Sequence, residues 1–262
     1  MPTTFFGWVS FIFEKYHTLF LRGTAITMLI AVSGTVLGFL IGLLVAVARS
    51  IRPAPRAGFL PRALLRLLKG FLSLYIEVFR GTPMIVQAMV IYYGLLQYFQ
   101  VSIHELAAAV FVVSINTGAY MAEIVRGGIL SVDTGQTEAA HSIGMTHWQT
   151  MTSVVLPQAI RNILPAIGNE FIVNIKDSCV LNVISVSELF FMSKSAAGTY
   201  LRYFEVFFIT GMIYLMLTFA VSRLLRLLER RMDGPAHYAI HGSQSADAAA
   251  IALGKLGGGK EG

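Results

Sequence analysis

Apolar residues gather along this chain into runs separated by short polar stretches, and the runs are long enough to be membrane spans. Residues 24–48, TAITMLIAVSGTVLGFLIGLLVAVA, carry no charged side chain and exceed the roughly 20 residues that a helix needs to cross hydrocarbon. A second run lies within 71–97, interrupted by Glu77, Arg80 and the turn Gly81-Thr82-Pro83. A third extends from Leu106 to Val125, a fourth from Ile160 to Ile184 with Glu170, Lys176 and Asp177 inside it, and a fifth from Val206 to Ser222. The pattern predicts an all-α, multi-pass membrane protein with five transmembrane helices. Ahead of the first span, Phe5, Trp8, Val9, Ile12, Phe13, Tyr16, Leu19 and Phe20 recur at helical spacing and make a one-sided apolar stripe within 1–22. That amphipathic segment either lies along the outer membrane surface or packs on neighbouring helices.

Composition agrees with a membrane protein: of 262 residues, 55% are apolar and 13% charged, about half the charged share of an ordinary soluble domain. The formal charge of +6 does not point to nucleic acid, because Lys and Arg stand between apolar spans without stacking aromatics in polar context, so anionic lipid is the expected partner. Arg49, Arg52, Arg56, Arg62, Arg66 and Lys69 follow the first span, and Arg223, Arg226, Arg230 and Arg231 follow the fifth. The alternate segments hold only Lys15, Arg22, Lys194 and Arg202, so the positive-inside rule sets the N-terminus outside and the C-terminus in the cytoplasm. The single cysteine, Cys179, excludes an intramolecular disulfide. We expect no removable signal peptide, and a flexible cytoplasmic tail over 233–262, where the sequence is small, polar and glycine-rich.

On that topology the polar stretch 127–157 faces the cytoplasm. Asp133 can cap a helix through Gln136 to His141, and Gly144 supplies the permissive backbone where it stops. Thr146 and Gln149 form a capping-box pair for the next helix. We expect this second helix to bury Trp148, Met151, Val154 and Val155 and to end at Pro157. The exposed knuckle is expected around Glu138, Ala139, Ala140 and Gly144, small enough for another protein's groove to close on it.

Glu138-Ala139-Ala140, then Gly144, Val154, Leu156 and Pro157 at the same spacing, resemble the EAA motif of ATP-binding-cassette importer permeases, with Val154 in the usual Ile position. The segments YIEVFRGTPMIVQ from Tyr75 to Gln87, NTGAYMAEIVRGGI from Asn116 to Ile129 and NEFIVNIKDS from Asn169 to Ser178 resemble the permeases for polar amino acids. The chain departs from them at Asp133, where proline is common, and at Cys179, where Ser or Thr is common. The resemblance spans 20–232 and implies a transmembrane permease domain of the type I importer fold over 23–232, in a bacterial inner membrane. It also implies that Glu138, Ala139, Ala140, Gly144, Leu156 and Pro157 dock into a separate cytoplasmic ATPase that holds the ATP and Mg. A second permease subunit, identical or a sister chain, and an extracytoplasmic amino-acid-binding protein complete the implied assembly.

Ionisable groups at membrane depth are costly and usually pair or face a cavity. Glu77 and Arg80, three residues apart, can pair on one face. The break at Gly81, Thr82 and Pro83 frees backbone groups that only protein or water can satisfy, and Gln87, one turn on, could bond a zwitterionic ligand. Asn116 and Glu123 share a face of the third span, with Tyr120 between them; Asn169, Glu170, Lys176, Asp177 and Ser178 make the fourth similarly polar. These residues are the candidate substrate path, with interhelical or dimer-interface bonding as the alternative for each.

The chain contains no GxxxxGK[ST] phosphate loop, so we expect it neither to bind nor to hydrolyse ATP, and to bind no cofactor or metal. His104, His141 and His147 show no metal-ligand spacing. A rival reading, an ion-gradient-driven secondary amino acid transporter working through Glu77, Glu123 and Lys176, leaves the hydrophilic loop without a role. A membrane-embedded lipid transferase lacks the paired carboxylates or metal cluster it needs.

Overall fold

In the computed structural model, which describes residues 2–51, 53 and 58–232, every regular element is helical. The first, α1, covers Phe5–Ser50 in one run of 46 residues, about 69 Å at 1.5 Å per residue. The N-terminal stripe is therefore not set off from the first span. Trp8, Ile12 and Phe20 are buried against Leu189, Ala196, Ala197, Val206 and Ile209, while Phe6 and Phe13 of the same segment stay exposed. Of the two expected placements, the inner edge of the stripe takes the packed one.

The second span is two helices, α2 over Phe59–Gly81 and α3 over Met84–Tyr98, bent by 112° at the break. Pro83 explains the break: it cannot donate a backbone hydrogen bond and biases Thr82 to its extended conformation, with ψ of 146°. The helix starts well before the expected boundary at 71, so Arg62, Arg66 and Lys69 stand on α2 and not in a loop. Helix α4 follows at Glu105–Leu130, then α5 at Thr134–Ser142, α6 at His147–Thr150, a π-wide turn at Met151–Val155 and α7 at Leu156–Asp177. A 3₁₀ segment, Ser178–Ile184, leads to α8 at Leu189–Tyr200 and α9 at Tyr203–Met232.

Helices α1 and α4 form the most extensive pair, and small residues set their approach. A Cβ at Gly34, Gly38 or Gly42 would stand 2.3 Å from Val113 Cγ1, 2.7 Å from Thr117 Cβ or 2.4 Å from Met121 Cβ. A glycine ridge at four-residue spacing is how membrane helices gain van der Waals contact where no hydrophobic force draws them together. Asn174 of α7 pins the pair from the side, donating to Thr35 Oγ1 at 2.8 Å and accepting from Thr117 Oγ1 at 3.1 Å. Above this junction Ile30, Ala109, Val112, Val113, Leu181 and Ile184 close the core.

Among the described residues, three helical stretches, Phe5–Ser50, Glu105–Leu130 and Tyr203–Arg231, are long and apolar enough to cross a bilayer, and the bent α2–α3 pair makes a fourth if it counts as one span. Helix α7, with 22 residues and about 33 Å of length, is long enough but more polar, carrying Arg161, Glu170, Lys176 and Asp177. Residues 1–229 form one body; of the segment from Arg230 onward, only the last residues of α9 fall among those described. The tail expected at 233–262 lies outside the described residues, as do Arg52 and Arg56.

Candidate functional site: a capped hairpin and a polar seam

Between α4 and α7 the chain folds into the expected hairpin, held by local capping. Asp133 Oδ1 accepts from the Gly135 N–H at 2.8 Å and starts α5. The helix ends where Gly144 takes φ +84°, a conformation that an L side chain resists, and the Met145 N–H closes back on the Ala140 carbonyl at 3.1 Å. Thr146 and Gln149 then form both bonds of the capping box, 3.3 Å from the Gln149 N–H to Thr146 Oγ1 and 2.9 Å from the Thr146 N–H to Gln149 Oε1.

Three expectations for this hairpin are corrected. Ala140 is buried, because its side of α5 turns inward, so the exposed knuckle consists of Glu138, Ala139 and Gly144. Trp148 is 75% exposed and does not join Val155 in the interior. Pro157 does not end a helix but stands in the first turn of α7, where the π-wide turn ahead of it takes up the ring. The hairpin thus runs from α6 through residues 151–155 directly into α7. Leu156 and Pro157 are exposed at that junction. Ile143, 80% exposed beside Gly144, and Trp148 are the hairpin residues that the sequence reading missed as surface; their signal was two large apolar side chains within an otherwise polar stretch.

In the membrane region the candidate path residues separate into two groups. Gln87, Asn116 and Thr82 are consumed by the helix break. The Gln87 amide nitrogen lies 2.9 Å from the Phe79 and Thr82 carbonyls and 2.8 Å from Thr82 Oγ1, while Gln87 Oε1 accepts from Asn116 at 2.9 Å. Asn116 also reaches the Phe79 carbonyl at 3.2 Å, and Thr82 Oγ1 donates to Val78 at 2.7 Å. Carbonyls released by the Gly81-Thr82-Pro83 turn are thereby satisfied inside the protein, as lipid requires.

Glu77 and Arg80 do not pair. The Arg80 guanidinium stands over the Tyr120 ring at 5.4 Å, and Glu77 is exposed without an ion pair among the described residues. Glu123, on the same face of α4 but two turns from Asn116, accepts from Arg49 Nη1 and Arg126 Nη2, each at 2.7 Å. On α7, Asn169, Lys176 and Asp177 are exposed and Glu170 is half-buried, whereas Ser178 is buried with its hydroxyl on the Ile175 carbonyl at 2.9 Å. Glu188, which the sequence reading passed over, is fully buried and caps α8, accepting from the Phe190 and Phe191 N–H groups at 2.8 and 2.7 Å and from the Tyr214 hydroxyl at 3.1 Å.

Residues 38–234 match the family model described as the binding-protein-dependent transport system inner membrane component. The chain is 38% identical over 215 residues to the glutamine transport system permease protein GlnP of Escherichia coli, covering 82% of this chain and 93% of that one. It is 34% identical to the arginine transport system permease protein ArtQ of Bacillus subtilis, over 81% of this chain and 91% of the relative. Among solved structures, an amino acid ABC transporter crystallised with histidines aligns with a TM-score of 0.75 at 41% identity, covering 88% of this chain and all of that one. Hairpin, broken second span and shared sequence converge: this chain belongs to the family of binding-protein-dependent transport system inner membrane components.

Proposed function

We propose that this chain is the permease subunit of a bacterial ATP-driven importer for polar amino acids, and that the hairpin between α4 and α7 couples it to a separate ATPase. The observation that carries the reading is the continuity of α6, the π-wide turn and α7: one helical run begins at His147, directly after the hairpin tip at Gly144, and reaches Glu170, Lys176 and Asp177, so a displacement of the tip has a path to them. In this reading five helices cross the membrane, α1, the α2–α3 pair, α4, α7 and α9, with the N-terminus outside and the C-terminus in the cytoplasm. Region 1–22 occupies the outer headgroup zone, and 23–232 is the transporting domain.

Glu138, Ala139, Gly144, Leu156 and Pro157 form the docking surface, joined by the exposed Ile143 and Trp148, with Ala140 supporting it from below. ATP and Mg bind the partner ATPase. A second permease subunit supplies the other half of the path, and an extracytoplasmic binding protein delivers the amino acid. Lining the path are Glu77, Arg80, Asn169, Glu170, Lys176 and Asp177, while Gln87, Asn116 and Thr82 hold its broken helix and Glu123 braces its inner end. Closure of the ATPase on nucleotide drives two hairpins together and turns the path outward; hydrolysis returns it. The test is affinity purification from cells expressing the whole transport system. A stable ATPase partner that is retained by the wild-type chain and lost from Gly144→Asp is expected, and a permease active in ATP-free vesicles contradicts the reading.

A further inference from the structure

The polar side of α2 is larger than the path residues drawn from the sequence. At 100° per residue, α2 has three faces. Leu72, Tyr75 and Ile76 turn inward onto Ile41, Val45 and Ala122. Leu60, Leu64, Leu67, Phe71, Leu74 and Val78 form an exposed apolar face suited to lipid. Arg66, Lys69, Ser73, Glu77 and Arg80 recur every three or four residues on the remaining side, with a centre about 140° around the axis from that of the apolar face. Arg66, Glu77 and Arg80 are exposed, and neither they nor Lys69 enter an ion pair among the described residues.

Such a stripe is too costly to face hydrocarbon. Dry contact with the same stripe of a second copy would press Arg66 and Lys69 against like charges with no carboxylate beside them, which is costlier still. Anionic headgroups can meet only the end of the stripe at Arg66 and Lys69, so along Ser73, Glu77 and Arg80 water is the remaining neighbour.

Two ties locate the stripe along the molecule. Arg49, in the last turn of α1, bonds Glu123 near the hairpin end of α4, so the chain enters α2 from the hairpin side. Higher up, the Tyr75 hydroxyl donates to the Ile115 carbonyl and Asn116 reaches Phe79, so α2 climbs antiparallel to α4 and breaks about halfway along it. Arg66 and Lys69 therefore lie toward the hairpin, and Arg80 lies over Tyr120 at the end of the stripe farther from it.

We propose that Arg66, Lys69, Ser73, Glu77 and Arg80 line a water-filled, net-cationic vestibule on the cytoplasmic side of the path, which draws the carboxylate of the departing amino acid. This rests on the importer reading for its topology. Positive charge along a low-dielectric wall concentrates anions by on the order of ten-fold or more, so the vestibule favours exit of zwitterionic and acidic cargo over cargo with net positive charge.

The test uses inside-out vesicles carrying the whole transport system, with Ser73→Cys on the stripe and Leu74→Cys on the apolar face. Each is treated with an anionic and a cationic membrane-impermeant methanethiosulfonate, with rates normalised to those of a free thiol; the parent chain gives the background from Cys179. The vestibule predicts fast labelling at position 73 and little at 74. It also predicts a preference on the order of ten-fold for the anionic reagent at position 73, lost in Arg66→Gln with Lys69→Gln and inverted in Arg66→Glu with Lys69→Glu. Vesicles of each variant are first checked for ATP-driven uptake. In a working transporter, an unreactive residue 73, or one labelled without charge preference, overturns the vestibule while leaving the importer reading standing.

Discussion

Arg49 Nη1 stands 2.7 Å from Glu123 Oε1, joining the last turn of α1 to the α4 end that feeds the hairpin. The same carboxylate holds Arg126 through its other oxygen, so one Glu bridges two guanidinium groups. Replacing Glu123 with Ala leaves two unpaired cations close together in a partly water-screened setting. We predict a loss of about 1–2 kcal/mol, read as a lower melting temperature of the detergent-extracted protein. Arg126→Ala, which leaves the α1–α4 tie in place, should cost less than Arg49→Ala.

Gly38 of α1 leaves no room for a side chain against Thr117, whereas a Cβ at Gly70 of α2 meets nothing within 4 Å. Gly38→Ala should cost about 1–3 kcal/mol through overpacking, and Gly38→Leu should abolish folded protein in the membrane. Gly70→Ala should be neutral or slightly stabilising. Size-exclusion profiles and melting curves of the three variants check the glycine ridge directly.

Gln87 spends its amide on the helix break, and that distinguishes it from a residue that binds cargo. Gln87→Leu takes its amide from the Thr82 carbonyl, leaves the Phe79 carbonyl with only the 3.2 Å bond from Asn116, and should destabilise by about 1–3 kcal/mol. The expected kinetic signature is a reduced maximal uptake with KM unchanged. A rise in KM at full folded yield would instead make Gln87 a ligand contact.

How much of this was legible in the sequence depends on the range of the forces involved. The hairpin caps at Asp133, Gly144 and Thr146 were readable because each acts over two to four residues of chain. The break at Pro83 was readable for the same reason. Burial of Ala140 and exposure of Trp148 were not, because the face of a short helix that turns inward is chosen by elements distant in sequence. Asn174, which bonds across 139 residues to Thr35, carries no local signal, and neither does Glu188, a lone acid outside the apolar runs whose partners include Tyr214, 26 residues on. The Gly34, Gly38 and Gly42 ridge was present in the sequence as small residues every fourth position, and only its partner helix needed the structure.

Trp148 and Ile143 supply exposed apolar area on a polar hairpin, the composition of an anchor for a partner's pocket. Trp148→Ser should leave the melting temperature of the permease unchanged, since the side chain packs little within this chain. It should weaken ATPase binding by about 2 kcal/mol or more, roughly thirty-fold in Kd, measured by binding of the purified ATPase to immobilised permease.

The central claim is that the hairpin transmits work from an ATPase to helices α4 and α7, and its most direct measurement is ATP-driven amino acid uptake by proteoliposomes containing the complete system with either wild-type chain or Gly144→Asp. The wild type should accumulate amino acid only when ATP and the ATPase are both present. Gly144→Asp, strained at φ +84° but only in the exposed hairpin turn, should still give folded permease in the membrane, should accumulate none and should retain no ATPase. Uptake by Gly144→Asp at the wild-type rate, or by the wild type without the ATPase, would contradict the account.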